Sequence, residues 1–461
     1  MKQHINIPIA TISALLLLFF TGLMSCKKFL AIPPSQTETQ TKQIFENDDA
    51  AVSATTGLYN QMLTSNLWLA NGGVTVYSGL SADELVNTNS AMAVDGFTAN
   101  TLMPDNEILA ANFWIPAYKT IYHANAILEG LQNTSALTPA VHSQLQGEAL
   151  LVRALHYFYL VNLFGDVPLL ITSGYQINSR SPRKEASVVY EQIIADLETA
   201  KTLLNVNYPS AGRTRPNQFT VEALLARVYL YKGDWSKATI AATAIIDAGL
   251  YELVTDIDQA FVMDSPEAIW QLVTDNYNTA EAAAFIPALS FFKPAYVATD
   301  HLLNAFEPGD TRKEKWLKLS TAGGQNNYYP FKYKMRSAAP TTEYYMIFRL
   351  AEQFLIRAEA RAQLGNIAGA IADLNIIRHR VSLGDTPANN KVSLLEAIQH
   401  ERRTELFAEW GHRWFDLKRT NTADAILQTI KAPHWQPADT LYPIPLAEIK
   451  TNPFLIQNPG Y

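Results

Sequence analysis

Three glutamates in the C-terminal part of the chain have a spacing that could serve acid–base chemistry. Glu401, Glu405 and Glu409 recur every four residues, which places them on one face of a helix. Paired carboxylates carry out glycoside hydrolysis, so this face is one candidate for catalysis. The neighbouring charges are basic: Arg402, Arg403 and Arg413. We therefore interpret the glutamates as part of a charged packing face, because alternating charges of both signs stabilise such a face.

Other motifs for catalysis or metal binding are missing from the sequence. His400-Glu401 begins like the HExxH motif of zinc proteases, but Thr404 occupies the position of the second histidine. The nine histidines form no pair at helical ligand spacing, and Cys26 is the only cysteine. Glycine-rich phosphate loops and nucleophile elbows are absent as well. The sequence predicts a protein that is not an enzyme and that needs neither a cofactor nor a metal.

Aromatic and amide side chains cluster in two long segments that are rich in glycine, proline and asparagine. Sugars have apolar faces and many hydroxyl groups, so a carbohydrate site needs exposed rings together with amides or charged groups. The first segment offers Trp68, Asn71 and Tyr77 as ligand-binding candidates. The second segment offers Asn276, Tyr277, Tyr296, Asn327, Tyr328 and Tyr329, with Phe291 and Phe292 in the same mixture. The alternative for each ring is a place in the core, where we expect Trp270.

The elements that must position these side chains are mostly helical. Val221–Gly249 and Glu352–Arg380 align on Gly233 and Gly365, with alanines at matching positions on either side. This is the spacing of a tetratricopeptide repeat, in which glycine takes the left-handed cap between two antiparallel helices. Periodicity predicts a mainly α fold of four such helix pairs in a solenoid, with helices near 42–63, 106–131, 141–164, 187–204, 218–249, 349–381 and 393–410. The two segments left over, 67–105 and 251–345, are predicted to be irregular loop insertions that carry the binding function.

The N-terminal residues have the pattern of a targeting signal. Ile9 to Phe20 is an apolar run too short to span a bilayer but typical of a signal peptide, and Leu23-Met24-Ser25-Cys26 is similar to a bacterial lipobox. This predicts a signal peptide at 1–25, a lipid on Cys26, a linker at 26–41 and a single domain at 42–461. Membrane attachment is then through the N-terminal lipid.

The charge balance argues against nucleic acid as a partner. The chain of 461 residues carries 36 basic and 43 acidic side chains, a formal net charge of -7. It has no lysine- or arginine-rich stretch interleaved with aromatic residues, which a nucleic-acid surface would need.

Several landmarks, in this order and spacing, resemble the SusD/RagB family of outer-membrane lipoproteins from Bacteroidota. They include Cys26-Lys27-Lys28-Phe29-Leu30, Leu163-Phe164-Gly165-Asp166-Val167-Pro168, Glu401-Arg402-Arg403, Gly411-His412-Arg413 and the ending Asn458-Pro459-Gly460-Tyr461. The resemblance implies a tetratricopeptide-like scaffold that faces the outside of the cell and forms a lid over a SusC-type TonB-dependent transporter. It also implies binding without chemistry.

The cargo stays open at this point. An oligosaccharide is the favoured ligand, a peptide as in the RagB branch is the alternative, and a secreted glycan hydrolase is less favoured. Ligand residues in this family follow no shared motif, so the resemblance assigns none of them.

Overall fold

The computed structural model describes residues 43–274, 279–337 and 339–461. Helices dominate this part of the chain, which confirms the mainly α class. The helices are α1 (Asp48–Leu63), α2 (Val74–Ser81), α3 (Met92–Ala99), α4 (Ile115–Gln132), α5 (Pro139–Phe164), α6 (Tyr175–Asn178), α7 (Ala186–Leu203), α8 (Gln218–Lys232), α9 (Trp235–Ile246), α10 (Ala280–Phe285), α11 (Asp300–Leu303), α12 (Thr311–Lys315), α13 (Leu350–Gln363), α14 (Ile367–Arg380), α15 (Lys391–Glu405), α16 (His412–Arg419), α17 (Ala423–Ile430) and α18 (Leu446–Thr451). Within these ranges, no helix is long and apolar enough to cross a membrane.

The helices stack as the repeat pattern predicts. Helix α1 packs on α4, α5 on α7, α8 on α9 and α13 on α14, and successive pairs touch through α4 with α5, α7 with α8 and α9 with α13. Gly233 and Gly365 take left-handed φ angles of 72° and 83° between the helices of their pairs. The next residue in each case starts the second helix, since Asp234 Oδ1 accepts from Lys237 N at 3.2 Å and Asn366 Oδ1 accepts from Gly369 N at 3.0 Å. The four helix pairs are confirmed.

The centre of the solenoid contains buried ion pairs as well as apolar side chains. Helices α5 and α8 are buried on almost every side over residues 149–161 and 220–230. Arg153 Nη2 lies 2.6 Å from an oxygen of Asp196, and Arg227 Nη2 lies 2.7 Å from Glu352. Because the charges in these two pairs neutralise each other, neither pair leaves an isolated ion in the core.

The two insertions are more ordered than the sequence predicts. Four two-stranded antiparallel sheets are present in the described residues, pairing β1 (Leu85–Asn87) with β5 (Tyr296–Ala298), β2 (Val167–Pro168) with β3 (Arg183–Lys184), β4 (Ala268–Leu272) with β8 (Tyr345–Arg349), and β6 (Leu317–Ser320) with β7 (Asn327–Pro330). Three of these sheets involve the insertions. The insertions remain largely irregular, but 67–105 contains the helices α2 and α3 and both insertions contain short strands. Two of the three sheets pair runs that are distant in sequence, which a local pattern does not reveal.

Candidate functional site

The C-terminal glutamates belong to a buried charge network, not to an open cleft. Glu401 and Glu405 are fully buried and Glu409 nearly so. The sequence predicts pairing with the neighbouring arginines, but the observed partners lie in other elements. Arg312 Nη1 lies 2.6 Å from Glu401 and 3.1 Å from Glu405, and Arg349 lies 2.6 Å from Glu405. A packing face is confirmed, but its arginines are contributed by α12, by the end of β8 and by α14.

The electrostatics around Glu405 do not suit a general acid. Burial alone would raise the pKa of Glu405, but Arg380, Arg349 and Arg312 hold that pKa well below its usual range. A carboxylate with a lowered pKa is a poor proton donor, and Glu405 is also shielded from solvent. Burial raises the pKa of Glu401, but that carboxyl is fully buried as well. Among the described residues, no group of three or more histidine, cysteine, aspartate or glutamate side chains is placed to hold a metal ion.

The arginines next to the glutamates anchor the first insertion instead. Arg403 Nη2 and Arg413 Nε lie 2.6 and 2.7 Å from the Asp83 carboxylate, which is buried where α2 leads into β1. Arg402 pairs with Asp416 at 2.8 Å. The segment from α15 to α16 thus holds both insertions, the first through Asp83 and the second through Arg312.

A seam joins the two insertions. Strands β1 and β5 pair in antiparallel register, with Val86 opposite Val297. The pairing extends beyond the strands, since Thr88 N donates to Ala295 O at 2.9 Å and Thr299 N donates to Glu84 O at 2.9 Å. Residues that are more than 200 positions apart therefore form one rigid platform on the solenoid.

Exposed aromatic and polar side chains meet beside this seam. Phe291 and Phe292 are 68% and 49% exposed, and their ring centroids lie 4.7 Å apart in an edge-to-face arrangement. Phe292 lines an open cavity of about 410 Å³ whose walls also include Asn89, Ile286, Pro287, Lys293 and Arg336. We call Phe291, Phe292, Asn89, Lys293 and Arg336 the seam surface.

Both walls of this cavity are fixed in place. On one side, Asn87 Nδ2 donates to Asp95 Oδ1 at 2.8 Å and so orders the turn that presents Asn89. On the other side, the Arg336 guanidinium donates to the backbone oxygens of Ala283 and Ile286. A cavity with ordered walls loses little conformational entropy on binding a ligand, which favours affinity.

The β6–β7 hairpin borders the seam surface. Strand β7 packs against β5, and the Cδ of Lys293 lies 3.9 Å from the position that a Cβ on Gly323 would occupy. Asn327 and Tyr328 lie on β7 and are half-buried. The sequence candidates Asn327 and Tyr328 are therefore near this surface without forming its exposed part.

The structure places most of the other sequence candidates in the interior. Asn71, Tyr77, Tyr296 and Tyr329 are all buried. Asn71 Nδ2 donates to Leu63 O at 3.2 Å and to Ser65 O at 3.1 Å, which closes the end of α1. The ring of Tyr77 packs 4.9 Å from Phe97, and burial raises its pKa. These four side chains have core roles in this structure, the alternative that the sequence left open.

Of the two tryptophans singled out from the sequence, Trp68 is partly exposed and Trp270 is buried. Trp68 is half-exposed, and Lys119 Nζ lies 5.9 Å from its ring centroid. Asn276, Tyr277 and the cysteine expected to carry the lipid, Cys26, lie outside the described residues. Trp270 is fully buried, as predicted.

Sequence reasoning missed Asn89, Lys293 and Arg336 as members of the site. The run Phe291-Phe292-Lys293-Pro294 held a usable signal, because two adjacent aromatic residues before a proline do not fit a buried strand or helix. Asn89 and Arg336 carry no such signal, since only the β1–β5 pairing brings them to this cavity.

Two family models match most of the chain. One, described as starch-binding and associating with the outer membrane, matches residues 35–230, and the model of the SusD family matches residues 304–461. Among curated proteins, SusD-like protein P38 from Formosa agariphila is 26% identical over the whole of both chains. The starch-binding protein SusD from Bacteroides thetaiotaomicron is 24% identical over 72% of this chain and 75% of its own length.

Solved structures have the same architecture. A SusD superfamily protein from Bacteroides vulgatus superposes with a TM-score of 0.79 at 22% identity, covering 91% of this chain and 100% of its own. A laminarin-binding SusD-like protein superposes with a TM-score of 0.75 at 23% identity, covering 90% and 100%. With the helix-pair scaffold and the sequence landmarks, these matches show that the chain belongs to the SusD/RagB family.

Proposed function

We propose that this protein is a cell-surface lipoprotein that captures an oligosaccharide at the seam surface and delivers it to a SusC-type TonB-dependent transporter. The observation that carries the ligand assignment is the exposed pair Phe291 and Phe292 beside a polar, ordered cavity. Exposed phenylalanines are uncommon on the surface of a soluble domain, so a neighbouring pair indicates an interaction site.

The chemistry of the seam surface suits a sugar. The C–H faces of a sugar ring can pack on Phe292, while Asn89 can both donate to and accept from hydroxyl groups. Lys293 and Arg336 contribute donors at the same cavity. An open site of this kind keeps bound water, so we expect modest affinity.

The family relationship supports this proposal. The matching model is described as starch-binding, one relative is a starch-binding protein, and one structural neighbour binds laminarin. SusD-like proteins bind ligands, and the most conspicuous carboxylate cluster of this chain is buried among arginines. A binding and gating role without catalysis agrees with both observations.

The route to the membrane is part of the same proposal. A lipid on Cys26 would hold the protein at the outer membrane, and a transporter of the SusC type would be its partner, with the protein as a lid. Mass spectrometry of the protein isolated from its own membranes tests the lipid, because an acylated N-terminal peptide starting at Cys26 must be present. Co-purification with a large outer-membrane barrel protein tests the partner.

Calorimetry with oligosaccharides tests the site. We expect the double variant Phe291→Ala/Phe292→Ala to weaken binding about 10- to 30-fold, since each ring contributes about 1 kcal/mol. Phe454→Ala is the matched control, because Phe454 is 52% exposed but belongs to the C-terminal segment. A Trp68→Ala variant reports whether the ligand extends to that ring.

Three results would contradict the proposal at different points. Equal affinity of the double variant and the wild type would move the site away from the seam surface. Binding of peptides with no response to any glycan would replace the sugar with a peptide cargo. New reducing ends after incubation with a polysaccharide would show a hydrolase.

A further inference from the structure

A second group of exposed apolar side chains lies away from the seam surface. Ile171, Tyr175 and Ile177 follow β2, and Phe454 and Ile456 follow α18; all five are between 52% and 81% exposed. We call these five residues the apolar patch. Single exposed apolar residues are ordinary on a protein surface, but five in two adjoining segments call for a partner.

Hydrogen bonds hold the two segments of the apolar patch together. Arg183 Nη1 donates to Ile456 O at 2.6 Å, and Asn452 Nδ2 donates to Ser181 O at 2.9 Å. Within the first segment, Asn178 Nδ2 donates to Thr172 O at 2.7 Å and closes the turn that displays Tyr175. The patch is thus a built surface with a fixed shape.

The charged side chains within the first segment of the apolar patch are all basic, although Asp166 and Glu185 flank this segment and the Glu129 carboxylate lies against Thr172 and Ser173. Residues 167–184 include Arg180, Arg183 and Lys184 but no aspartate or glutamate, whereas the protein has a formal net charge of -7. Surfaces that lie in the interface of a bilayer commonly combine exposed apolar and aromatic side chains with lysine and arginine. The cations contact anionic headgroups there.

The apolar patch adjoins the point where the N-terminal segment enters the body. The Glu129 carboxylate accepts from Thr172 Oγ1 at 2.6 Å and from Ser173 N at 2.8 Å, so the end of α4 holds the first segment of the patch. The next residue, Gly130, lies against the ring of Phe45, so closely that an added Cβ would overlap it. Phe45 O also accepts from Thr134 Oγ1 at 2.8 Å.

The length of the tether is consistent with contact between this face and the membrane. Cys26 and Gln43, the first described residue, are 17 positions apart, which limits their separation to roughly 60 Å even in a fully extended chain. A lipid on Cys26 would keep the patch at a high effective concentration near the bilayer, so that weak contacts suffice.

We propose that the apolar patch rests on the lipid surface of the membrane to which the chain is tethered, with Tyr175 and Ile177 in the interface and Arg180 and Lys184 on anionic headgroups. This inference rests on the lipid anchor in the proposed function. It fixes the orientation of the body, because the face with the N-terminal entry and the patch must point toward the bilayer.

Hydrogen–deuterium exchange on vesicles tests this orientation. The mature chain starting at Cys26 is coupled through that cysteine to a maleimide lipid, which supplies the tether whether or not the cell acylates it. Vesicles contain phosphatidylethanolamine and phosphatidylglycerol. We expect slower exchange at 173–181 and 452–457 on the vesicles than in solution, with no change at α9, which carries the exposed Ile240.

Substitutions make the test specific. Tyr175→Ser/Ile177→Ser should abolish the protection, whereas the control Ile240→Ser should leave it intact; both change only exposed side chains, so the fold is retained. Absence of protection at 173–181, or equal protection at α9, overturns the proposal. Protection that appears only in native membranes holding the transporter also overturns it, because the patch would then contact a protein. Failure of natural acylation at Cys26 would be detected separately by mass spectrometry and would count against the proposed anchor.

Discussion

The Arg312→Met substitution tests the role of the buried charge network. Arg312 is fully buried, and its guanidinium lies 2.7 Å from Asp310, 2.6 Å from Glu401 and 3.1 Å from Glu405. Methionine fills similar volume but leaves these carboxylates with less compensation. Breaking a buried ion pair by removing one partner costs about 3–5 kcal/mol, so we expect a loss of stability of this size.

The expected change in melting temperature follows from the size of the chain. At about 2.1 cal/mol/K per residue, the entropy of unfolding of 461 residues is about 1 kcal/mol/K. The variant should therefore melt about 3–5 °C lower by calorimetry or circular dichroism. Because Arg312 joins the second insertion to α15, limited proteolysis should also cut faster within 251–345.

A matched control separates burial from charge. Lys237 lies 3.3 Å from Asp234 but is 59% exposed, and such surface pairs contribute about 0–1 kcal/mol. Lys237→Met should therefore melt within about 1 °C of the wild type. If Arg312→Met behaved like Lys237→Met, the network would not hold the insertion and our account of the C-terminal glutamates would be wrong.

Two further predictions concern pH and glycine. Burial raises the pKa of Glu281 to about 8, against about 4.3 in the unfolded chain. The folded state thus keeps a proton that the unfolded state has lost, so this contribution to stability is complete below pH 4.3 and disappears as the pH rises to 8. Glu281→Gln should flatten the fall in the free energy of unfolding across this window by up to about 1.4 kcal/mol per pH unit, measured by urea titration; an unchanged slope refutes this assignment. Gly365→Ala should destabilise by about 1 kcal/mol because its φ is 83°. Gly57→Ala, in the interior of α1 with open space around it, should stabilise by up to about 1 kcal/mol; equal effects of the two changes would refute the conformational explanation.

The repeat scaffold is the part of the fold that local sequence could predict. Gly233 and Gly365 mark the turns of two pairs because only glycine takes a positive φ there without strain. The predicted end of the helix near 410 was less accurate, since α15 stops at Glu405 and both Ala408 and Trp410 adopt positive φ. Neither residue type indicates such a backbone, so tertiary packing decides it.

The candidate site shows the same division. Exposed and buried rings have the same side chains, so the sequence could not separate Tyr77 and Tyr296, which are buried, from Phe291 and Phe292, which are exposed. Burial depends on what packs over a residue: Phe97 and Phe113 pack on Tyr77, and Tyr296 lies in the β1–β5 pairing across more than 200 residues.

The sequence by itself determined the mainly α class, the helix-pair scaffold, the acidic charge and the family resemblance, because these follow from local periodicity, composition and landmark spacing. Only the tertiary structure decided which arginines neutralise Glu401 and Glu405, how the two insertions join, and that Asn89 and Arg336 share a cavity with Phe292. Contacts between distant segments are selected by packing and by the need to pair buried charges and backbone groups. A local sequence pattern does not show which distant segments will be in contact.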